Sequence, residues 1–254
     1  MTQPRIKALA LGIFSVTLIL ALWQFVAAMK LTPGINLPEL TATLVRAYEL
    51  RFVLLVELGH TLGRALTGYG LAVITMIPLG LAMGRSRLLD GLLDPVIEVL
   101  RPLPTPAIIP LIMLLAGIGD AAKIGIIFFG AAFPILINTA ASVRGLHPMI
   151  PLTTRALRLT RLEAFVLAYL PAATPQIIAG CRISLSLALL IAVTAEMLLS
   201  TDGLGVFLQR SQETFLFTDV LAGIIVLAAC AFTINRLFIA LEHRLLFWHK
   251  ARTA

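Results

Sequence analysis

The stretch GLHPMIPLTTRALRLTRLE, residues 145–163, is the most informative part of the chain, because it is a basic segment between long apolar runs. Its arginines, Arg155, Arg158 and Arg161, recur every three residues and therefore drift around a helix. Its apolar positions form a stripe on another side of that helix: Leu152, Ala156 and Leu159. Two interpretations stay open: an ordinary positively charged loop on the inner side of a membrane, or a short helix that docks on a soluble partner.

The composition indicates a membrane protein rather than a soluble one. Hydrophobic residues make up 59% of the 254-residue chain and charged residues 13%, about half the share usual in soluble domains. The mean hydropathy is +0.98, and a soluble core cannot bury that much apolar surface. The net charge of +7 does not predict nucleic-acid binding, because the basic residues flank apolar runs instead of clustering beside aromatic residues.

Six apolar runs are long enough to cross a bilayer with a hydrocarbon core about 30 Å thick, since a helix rises about 1.5 Å per residue. They cover residues 8–29, 65–84, 102–119, 124–143, 183–200 and 220–240. Arg5 and Lys7 before the first run also fit a signal peptide, but the length of that run favours a retained anchor. We therefore predict an all-α polytopic membrane protein with six transmembrane helices.

The distribution of basic residues predicts the orientation of the chain. With the N-terminus inside, the inner segments hold more arginine and lysine than the outer ones, as the positive-inside rule requires. The inner basic residues are Arg5, Lys7, Arg85, Arg87, Arg144, Arg155, Arg158, Arg161, Arg244, Lys250 and Arg252. We therefore predict that both termini and residues 145–163 face the cytoplasm.

Charged residues and prolines inside the apolar runs are candidates for a translocation path. A charge there is costly unless it faces the bundle interior, water or a partner. The third run also opens with closely spaced prolines, and bundles tolerate such a break where other helices or water satisfy the backbone. The path candidates are Arg101, Pro104, Arg182 and Glu196. A plainer alternative stays open for each: a kink without further role, or a charged side chain that reaches the membrane interface.

A series of short motifs over residues 59–248 carries a family resemblance through their order and spacing. They are TLGRALTGY at 61–69, PLGLAMG at 78–84, LDP at 93–95, LRPLP at 100–104, AIIPL at 107–111, GIG at 117–119, GCRIS at 180–184, AEM at 195–197 and GLG at 203–205. With these motifs the chain resembles the transmembrane permease subunit of type I, binding-protein-dependent ABC importers. Within that superfamily it is most similar to the taurine, alkanesulfonate and nitrate permease group.

The resemblance implies an organisation and a set of partners. Residues 1–56 would form an N-terminal transmembrane helix with an external segment, residues 57–241 the type I permease domain, and residues 242–254 a cytoplasmic tail. The partners would be a second permease subunit, two cytoplasmic ATPase subunits that bind ATP and magnesium, an extracytoplasmic substrate-binding protein and membrane lipid. The protein would be a multi-pass protein of the bacterial cytoplasmic (inner) membrane, and its cargo a small anion such as a sulfonate, taurine or nitrate.

Two alternatives to that function stay open. The same type of importer could carry another small organic solute, for example an aromatic acid or a pyrimidine precursor. A secondary transporter driven by an ion gradient is disfavoured, because it predicts internal repeats and polar residues at the midplane, in which the spans are poor.

The resemblance also implies an ATPase-coupling motif, in which Glu-Ala-Ala is followed by a glycine and ends in Leu-Pro. Alignment on Leu170 and Pro171 places the triplet at residues 152–154 and the glycine at Arg158. The implied coupling residues are Leu152, Thr153, Thr154, Arg155, Ala156, Arg158, Leu159 and Thr160. We predict a short helix over residues 152–162 with Leu159 as its buried anchor in the ATPase. Because the glutamate and the glycine are absent, both a homodimer and a heterodimer with a different permease stay open.

Catalytic and metal-binding patterns are absent from the sequence. It has no Gly-Lys-Ser/Thr phosphate loop, so ATP binding falls to a separate subunit and the chain itself is predicted to bind no cofactor. The histidines are scattered without ligand spacing, and Cys181 and Cys230 form no disulfide framework. We therefore predict a transport subunit and not an enzyme, with no metal site and no nucleic-acid partner.

Overall fold

The computed structural model describes residues 3–29, 37–117 and 119–247. Every regular element within them is helical, which confirms the all-α fold class. In chain order the helices are α1 (Gln3–Ala28), α2 (Leu40–Glu49), α3 (Arg51–Arg85), α4 (Arg87–Leu100), α5 (Thr105–Ala116), α6 (Asp120–Arg144), α7 (Met149–Ala156), α8 (Arg161–Ala164), α9 (Leu170–Leu199), α10 (Leu204–Glu213) and α11 (Phe217–Leu245), with a π-helical turn (Phe165–Tyr169) between α8 and α9. Residues 248–254 of the expected tail and 30–36 of the expected external segment lie outside the described residues.

The described helices provide four segments that are long and apolar enough to cross a membrane. They are α3, α6, the continuous stretch Arg161–Leu199 and α11. A fifth crossing results if α4 and α5 count as one broken span, since the pair is bent by 108°. In α1 the apolar stretch Phe14–Ala28 is shorter than the other spans. The predicted count of six transmembrane helices is therefore not confirmed by the described residues.

The bundle core is formed by α3, α6 and α9, which pack closely through small residues. A Cβ atom on Gly80 of α3 would lie 2.7 Å from Cβ of Thr139 on α6, and one on Gly180 of α9 would lie 2.7 Å from Cβ of Asn138. Only glycine therefore fits at these two crossings. The core between the helices is mostly aliphatic and includes the fully buried Ile127. These three helices form the frame that holds the other elements.

A bidentate ion pair attaches the short helix α2 to α11. Arg46 donates to both carboxylate oxygens of Asp219, with Nε 2.6 Å from Oδ1 and Nη2 3.1 Å from Oδ2. This contact raises the pKa of the Arg46 guanidinium, chiefly through its hydrogen bond to Asp219. The guanidinium therefore stays charged, and the pair fixes the segment that precedes α3.

The break between α4 and α5 follows from its prolines. Pro102 and Pro104 lack a backbone N–H, so neither can donate the hydrogen bond that would continue the helix. The chain leaves the helix after Leu100 and starts again at Thr105, with Pro104 in an extended conformation as the N-cap. The third apolar run is therefore not one straight helix over residues 102–119 as the sequence suggested.

The prediction of a single helix over residues 152–162 is wrong, because α7 ends at Ala156 and a new helix starts at Arg161. Thr160 caps the new helix through a capping box: its N–H donates to Oε2 of Glu163 at 2.8 Å, and its hydroxyl accepts from the Glu163 N–H. An N-cap has a non-helical backbone, so Thr160 cannot continue α7. The basic segment is therefore a short helix, a turn and a new helix start.

The π-helical turn joins α8 to α9 just before Pro171. The amide of Leu170 donates to the carbonyl of Phe165, five residues back, instead of four as in an α-helix. Turns of this kind hold one more residue than an α-helical path of the same length. The connection between the basic segment and α9 is therefore wider than a regular helix.

Candidate coupling segment and translocation cavity

The predicted coupling residues lie on α7 and the turn that follows it, and most of them are exposed. Leu152 and Leu157 have exposed fractions of 55% and 64%, so they offer apolar surface outside the bundle. Thr154 is buried instead, and its hydroxyl donates to the carbonyl of Pro151 at 3.0 Å. The other exposed coupling residues are Thr153, Arg155, Ala156, Arg158 and Thr160. The segment thus carries both apolar and basic side chains that are accessible to a partner.

Leu159 occupies a different place from the one expected of an anchor. It is only half-buried, and with Leu167 and Pro171 it lines a groove of about 610 Å³ between α7 and the start of α9. Its apolar surface therefore faces this chain's own groove. Leu157, which was not a candidate in the sequence, lines the same groove and is the more exposed leucine of the turn.

Arg158, two residues after the end of α7, lies in the left-handed region of backbone space, with φ of 52°. The amide of Leu159 donates to the carbonyl of Thr154 at 3.1 Å, and the amide of Arg158 donates to the carbonyl of Arg155 at 3.0 Å. This pair of bonds is a Schellman motif, in which the left-handed position usually holds glycine. Arg158 also aligns with the glycine of the family motif, so the turn forms here with an arginine in place of that glycine.

Two contacts lie next to the basic segment, one before its start and one after its end. Arg144, the last residue of α6 before the segment, places Nη2 2.6 Å from Oδ1 of Asp90 on α4. The guanidinium of Arg85, at the end of α3, lies 5.8 Å from the ring centroid of Tyr169 in the π-helical turn. These contacts therefore join α6 to α4 before the segment and the π-helical turn to α3 after it.

A cavity of about 490 Å³ opens between α5, α6 and α9, next to the break before α5. Its lining is mostly apolar, and it includes Phe129 and Phe133, whose rings lie edge to face with centroids 4.9 Å apart. The polar side chains of the lining are Arg101, Thr105, Asn138 and Thr194. Of the path candidates, Arg101 lines this cavity, and Pro104 lies between the lining residues Leu103 and Thr105. A mostly apolar chamber with few polar groups is typical of a small-molecule site.

Arg182 lies outside that cavity, in a groove of about 640 Å³ between α9 and α11. Its Nε donates to Oδ1 of Asn235 at 3.3 Å, and its Nη1 lies 3.8 Å from Oε2 of Glu242. Much of its positive charge is therefore matched by a carboxylate of the same chain.

Glu196 also lies outside the cavity, fully buried where α3, α9 and α10 meet. Its carboxylate accepts hydrogen bonds from Thr61 Oγ1 at 2.7 Å, Arg64 Nη1 at 2.7 Å and the amide of Gly205 at 3.1 Å. Gly203, at φ of 102°, leaves the room for this carboxylate, which a Cβ atom would occupy. A buried charge with this many partners is satisfied and structural.

Arg64 extends the network from Glu196 to two further carboxylates. Its Nε lies 2.9 Å from Oδ1 of Asp120, and its Nη2 donates to Asp202. Lys123 joins the network because its Nζ donates to Oδ1 of Asp120 at 2.9 Å. The hydrogen bond from Arg64 lowers the pKa of Asp202 below its ordinary value and outweighs partial burial, which raises it. The network links α3, α6, α9 and the loop before α10.

Sequence reasoning missed Arg64, Asp120 and Asp202 because Arg64 looked like the boundary of an apolar run. A signal was present: the motifs at 61–69, 195–197 and 203–205 all contribute to this one network. Among the described residues, no group of three or more His, Cys, Asp or Glu side chains is placed to hold a metal ion.

Residues 76–246 match the family described as binding-protein-dependent transport system inner membrane component. The chain belongs to this family. The permease is 33% identical to the taurine transport system permease protein TauC of Escherichia coli (strain K12), over 97% of its own length and 92% of that protein. It is 31% identical to the putative aliphatic sulfonates transport permease protein SsuC of Bacillus subtilis (strain 168), over 94% of its length and 88% of that protein. Identity to the nitrate import permease protein NrtB of Synechocystis sp. (strain ATCC 27184 / PCC 6803 / Kazusa) is 28%, over 90% and 86% of the two chains.

Solved structures support the permease fold. The MetNI methionine ABC transporter in inward-facing conformations has a chain that superposes with a TM-score of 0.67 at 17% identity, covering 78% of this permease and 98% of that chain. A chain of an amino acid ABC transporter solved with histidines gives a TM-score of 0.61 at 16% identity, over 80% and 96% of the two chains.

These similarities confirm the resemblance found in the sequence motifs. The protein is the permease subunit of an ABC importer, near the taurine, sulfonate and nitrate group. It is a multi-pass membrane protein and a transport subunit rather than an enzyme. Permeases of this kind work with an ATPase and a binding protein.

Proposed function

We propose that this permease forms the translocation path for a small anion of the sulfonate, taurine or nitrate type, delivered by an extracytoplasmic binding protein. The observation that carries the proposal is Arg101, whose side chain lines the cavity and forms no ion pair among the described residues. Arg101 is exposed beside a mostly apolar cavity, and an unmatched positive charge there favours an anion. The substrates named for the similar permeases are all anionic or carry an anionic group, which supports the same class.

We propose that α7 and its following turn dock on the cytoplasmic ATPase. Leu152 and Leu157 supply exposed apolar surface, and Arg155 and Arg158 supply positive charge beside it. Apolar side chains buried at the centre of an interface, with charges at its rim, are the usual arrangement in protein complexes. The contacts from Arg144 to Asp90 and from Arg85 to Tyr169 would pass the closure of the ATPase on to α4 and α3.

The proposed assembly has two permease subunits and two ATPase subunits, and ATP and magnesium bind to the ATPases. A homodimer and a heterodimer both fit, because Arg158 replaces the glycine of the coupling motif. The proposed division is an N-terminal part over 1–56, a permease domain over 57–241 and a tail over 242–254. Both termini lie in the cytoplasm of a bacterial cell, which places α7 on the side of the ATPase.

Two experiments test this assembly and orientation. The mass of the detergent-purified complex should correspond to two permease copies, and a functional single copy would contradict the dimer. Arg155→Cys should react with a membrane-impermeant thiol reagent only from the cytoplasmic side. Reaction from outside would overturn the orientation.

Uptake in vesicles that contain the permease, the ATPase and the binding protein tests the function. Leu152→Asp and Leu157→Asp should abolish ATP-dependent anion uptake and leave the purified permease folded, because both leucines lie outside the bundle. Leu162→Asp is the matched control, since Leu162 is 71% exposed in the same basic segment but outside α7 and its turn. Normal uptake by both docking variants would show that the ATPase binds elsewhere, and uptake without any ATPase would favour a secondary transporter.

A further inference from the structure

A continuous groove lies on the surface of the bundle between α9 and α11. Its apolar part has a volume of about 490 Å³, with a floor formed by the buried side chains of Leu185, Leu189 and Val193 on α9. Its polar part is the groove of about 640 Å³ that holds Arg182. The two parts share three lining residues, namely Ser186, Ala231 and Asn235. We call the whole feature the α9–α11 groove.

The apolar part of this groove is left open by the described part of the chain. Leu190 on α9 and Ile224 on α11 line it with exposed fractions of 64% and 45%. Residues 224–245 of α11 include no buried residue. Open apolar surface of this kind marks contact with lipid or with another protein.

The hydroxyl groups in the apolar part are satisfied within their own helix. Thr194 donates to the carbonyl of Leu190 at 3.0 Å, and Ser186 donates to the carbonyl of Arg182 at 3.5 Å. None of the described residues that line this part is charged. A ligand there therefore gains free energy mainly by burying apolar surface.

The polar part lies at the depth of a membrane interface. The helix rise from Arg182 to Leu199, the last residue of α9, is about 26 Å, and the hydrocarbon core is about 30 Å thick. With Leu199 at one boundary of that core, Arg182 lies near the other boundary, which is the inner one in the proposed orientation. The apolar part extends from Leu185 to Met197 over about 18 Å, close to the depth of one leaflet, about 15 Å.

The polar part presents one cation and one anion side by side. Nη1 of Arg182 lies 3.8 Å from Oε2 of Glu242, which is too long for a charge-assisted hydrogen bond. The two side chains are 44% and 29% exposed. An ion pair with this much contact with water contributes at most about 1 kcal/mol. Both groups can therefore turn towards a ligand at little cost.

A headgroup that fits this pair carries a phosphate and a primary ammonium. The guanidinium of Arg182 presents paired N–H donors that match two phosphate oxygens. A primary ammonium has three N–H donors for the carboxylate of Glu242. A choline headgroup keeps the positive charge and has no N–H donor, whereas a glycerol headgroup has no cation and leaves Glu242 next to the phosphate without compensation.

We propose that the α9–α11 groove binds one phospholipid of the inner leaflet with an ethanolamine headgroup. Arg182 binds the phosphate, Glu242 binds the ammonium, and an acyl chain lies over Leu185, Leu189 and Val193. Pockets with basic side chains between transmembrane helices on the cytoplasmic side are suited to lipid headgroups. The lipid joins α9 to α11 and gives Arg182 a role apart from the translocation cavity. The inference goes beyond the proposed function and does not depend on the transported substrate.

Native mass spectrometry of the delipidated permease–ATPase complex tests the site. Three lipids with the same palmitoyl and oleoyl chains are added in turn, with an ethanolamine, a choline or a glycerol headgroup. The ethanolamine lipid should bind at least about tenfold more tightly than the other two. Equal affinity for the three lipids, or tighter binding of either of the others, would overturn the proposal.

Two charge variants test the assigned contacts. Glu242→Gln should abolish the preference, because only the ethanolamine lipid should lose affinity, by at least about tenfold. Arg182→Gln should weaken all three lipids, since each contains the phosphate. Arg236→Gln is the matched control, because Arg236 stacks on the ring of Phe232 at 5.0 Å and does not itself line the groove. Unchanged binding in Arg182→Gln, or an equal loss in Arg236→Gln, would overturn the site.

A third variant tests the apolar part by filling it. Ala231→Phe places a ring in the groove and should weaken all three lipids at least about tenfold. Ala229→Phe is the matched control, since Ala229 is exposed on α11 and does not line the groove. The same spectra report the number of permease copies in the complex. Loss of a permease copy in Ala231→Phe with unchanged lipid binding would assign the groove to a subunit interface and overturn the lipid site.

Discussion

Arg64 on α3 and Glu196 on α9 form a buried ion pair across 132 positions of the chain, with Nη1 2.7 Å from Oε1. Glu196 is fully buried and the side chain of Arg64 is 6% exposed, so neither charge is solvated to any large extent. The pair is satisfied only because Thr61, Gly205 and Asp202 complete it. It holds two core helices and the loop before α10 in one arrangement.

Removal of one charge from this pair should destabilise the permease strongly. Glu196→Ala leaves Arg64 without its buried partner, and breaking a buried pair from one side costs about 3–5 kcal/mol. Thermal unfolding of the detergent-purified protein should show a clear fall in midpoint. Glu213→Ala is the control, because Glu213 is exposed and bonds only to the side chain of Gln209 among the described contacts. A midpoint for Glu196→Ala equal to that of the control would contradict the structural role of the pair.

Acid should weaken the same network through Asp202. Its pKa is lowered in the folded state by the hydrogen bond from Arg64, so its contribution to stability is present above its ordinary value of about 3.8 and is lost as the pH falls through the lower folded pKa. Denaturant unfolding between about pH 5 and about pH 3 should show this loss. Asp202→Asn should be less stable at neutral pH and lose less on acidification. The same pH dependence in the variant would assign the effect to other carboxylates.

The close crossing of α3 and α6 should not accept an added methyl group. Gly80→Ala would place its Cβ 2.7 Å from Thr139 Cβ and 2.9 Å from the carbonyl of Leu136, so the helices must separate at a cost of about 1–3 kcal/mol. Gly70→Ala on the same helix is the control, since no atom lies within 4 Å of its added Cβ and alanine favours the helix. The two variants should therefore differ in the sign of their effect on the unfolding midpoint. Equal effects would show that the two helices are not in tight contact at Gly80.

The turn after α7 should respond in opposite ways to glycine at two positions. Arg158→Gly removes a side chain that is disfavoured in the left-handed conformation. Glycine adopts that conformation without strain, so the variant should stabilise the turn by up to about 1 kcal/mol. Arg155→Gly, in the last turn of α7, should instead weaken the helix by about 1 kcal/mol. Hydrogen exchange of the Leu159 amide, which donates to Thr154, reports both effects locally. Slower exchange in Arg155→Gly than in Arg158→Gly would contradict the assigned turn.

The fold class was predictable because the length of the apolar runs follows directly from the thickness of the bilayer and the rise of a helix. The limits of α3 were not predictable in the same way. Arg64 was taken as the end of an apolar run, but α3 continues through it from Arg51 to Arg85, since carboxylates from distant segments neutralise the charge. A rule that charges end a span fails wherever such partners arrive from elsewhere in the chain.

The basic segment holds one feature that the sequence predicts and another, only a few residues away, that it does not. The start of a new helix at Arg161 could have been read from Thr160 and Glu163, whose spacing is that of a capping box. The left-handed Arg158 could not, since nothing in an arginine marks such a position. The cavity was anticipated only through Arg101, because its walls come from helices that are far apart in sequence.

The wide turn at Phe165–Tyr169 has a consequence for how this part of the chain varies. Removal of a single residue there can be absorbed by conversion of the turn to regular α-helix, without moving Pro171 or the helix that follows. The segment before it would then keep its orientation relative to α9, because the residue lost is the extra one that the turn holds. Chains of this family should therefore tolerate a difference of one residue in length at this point, with α7 kept in the same orientation relative to α9.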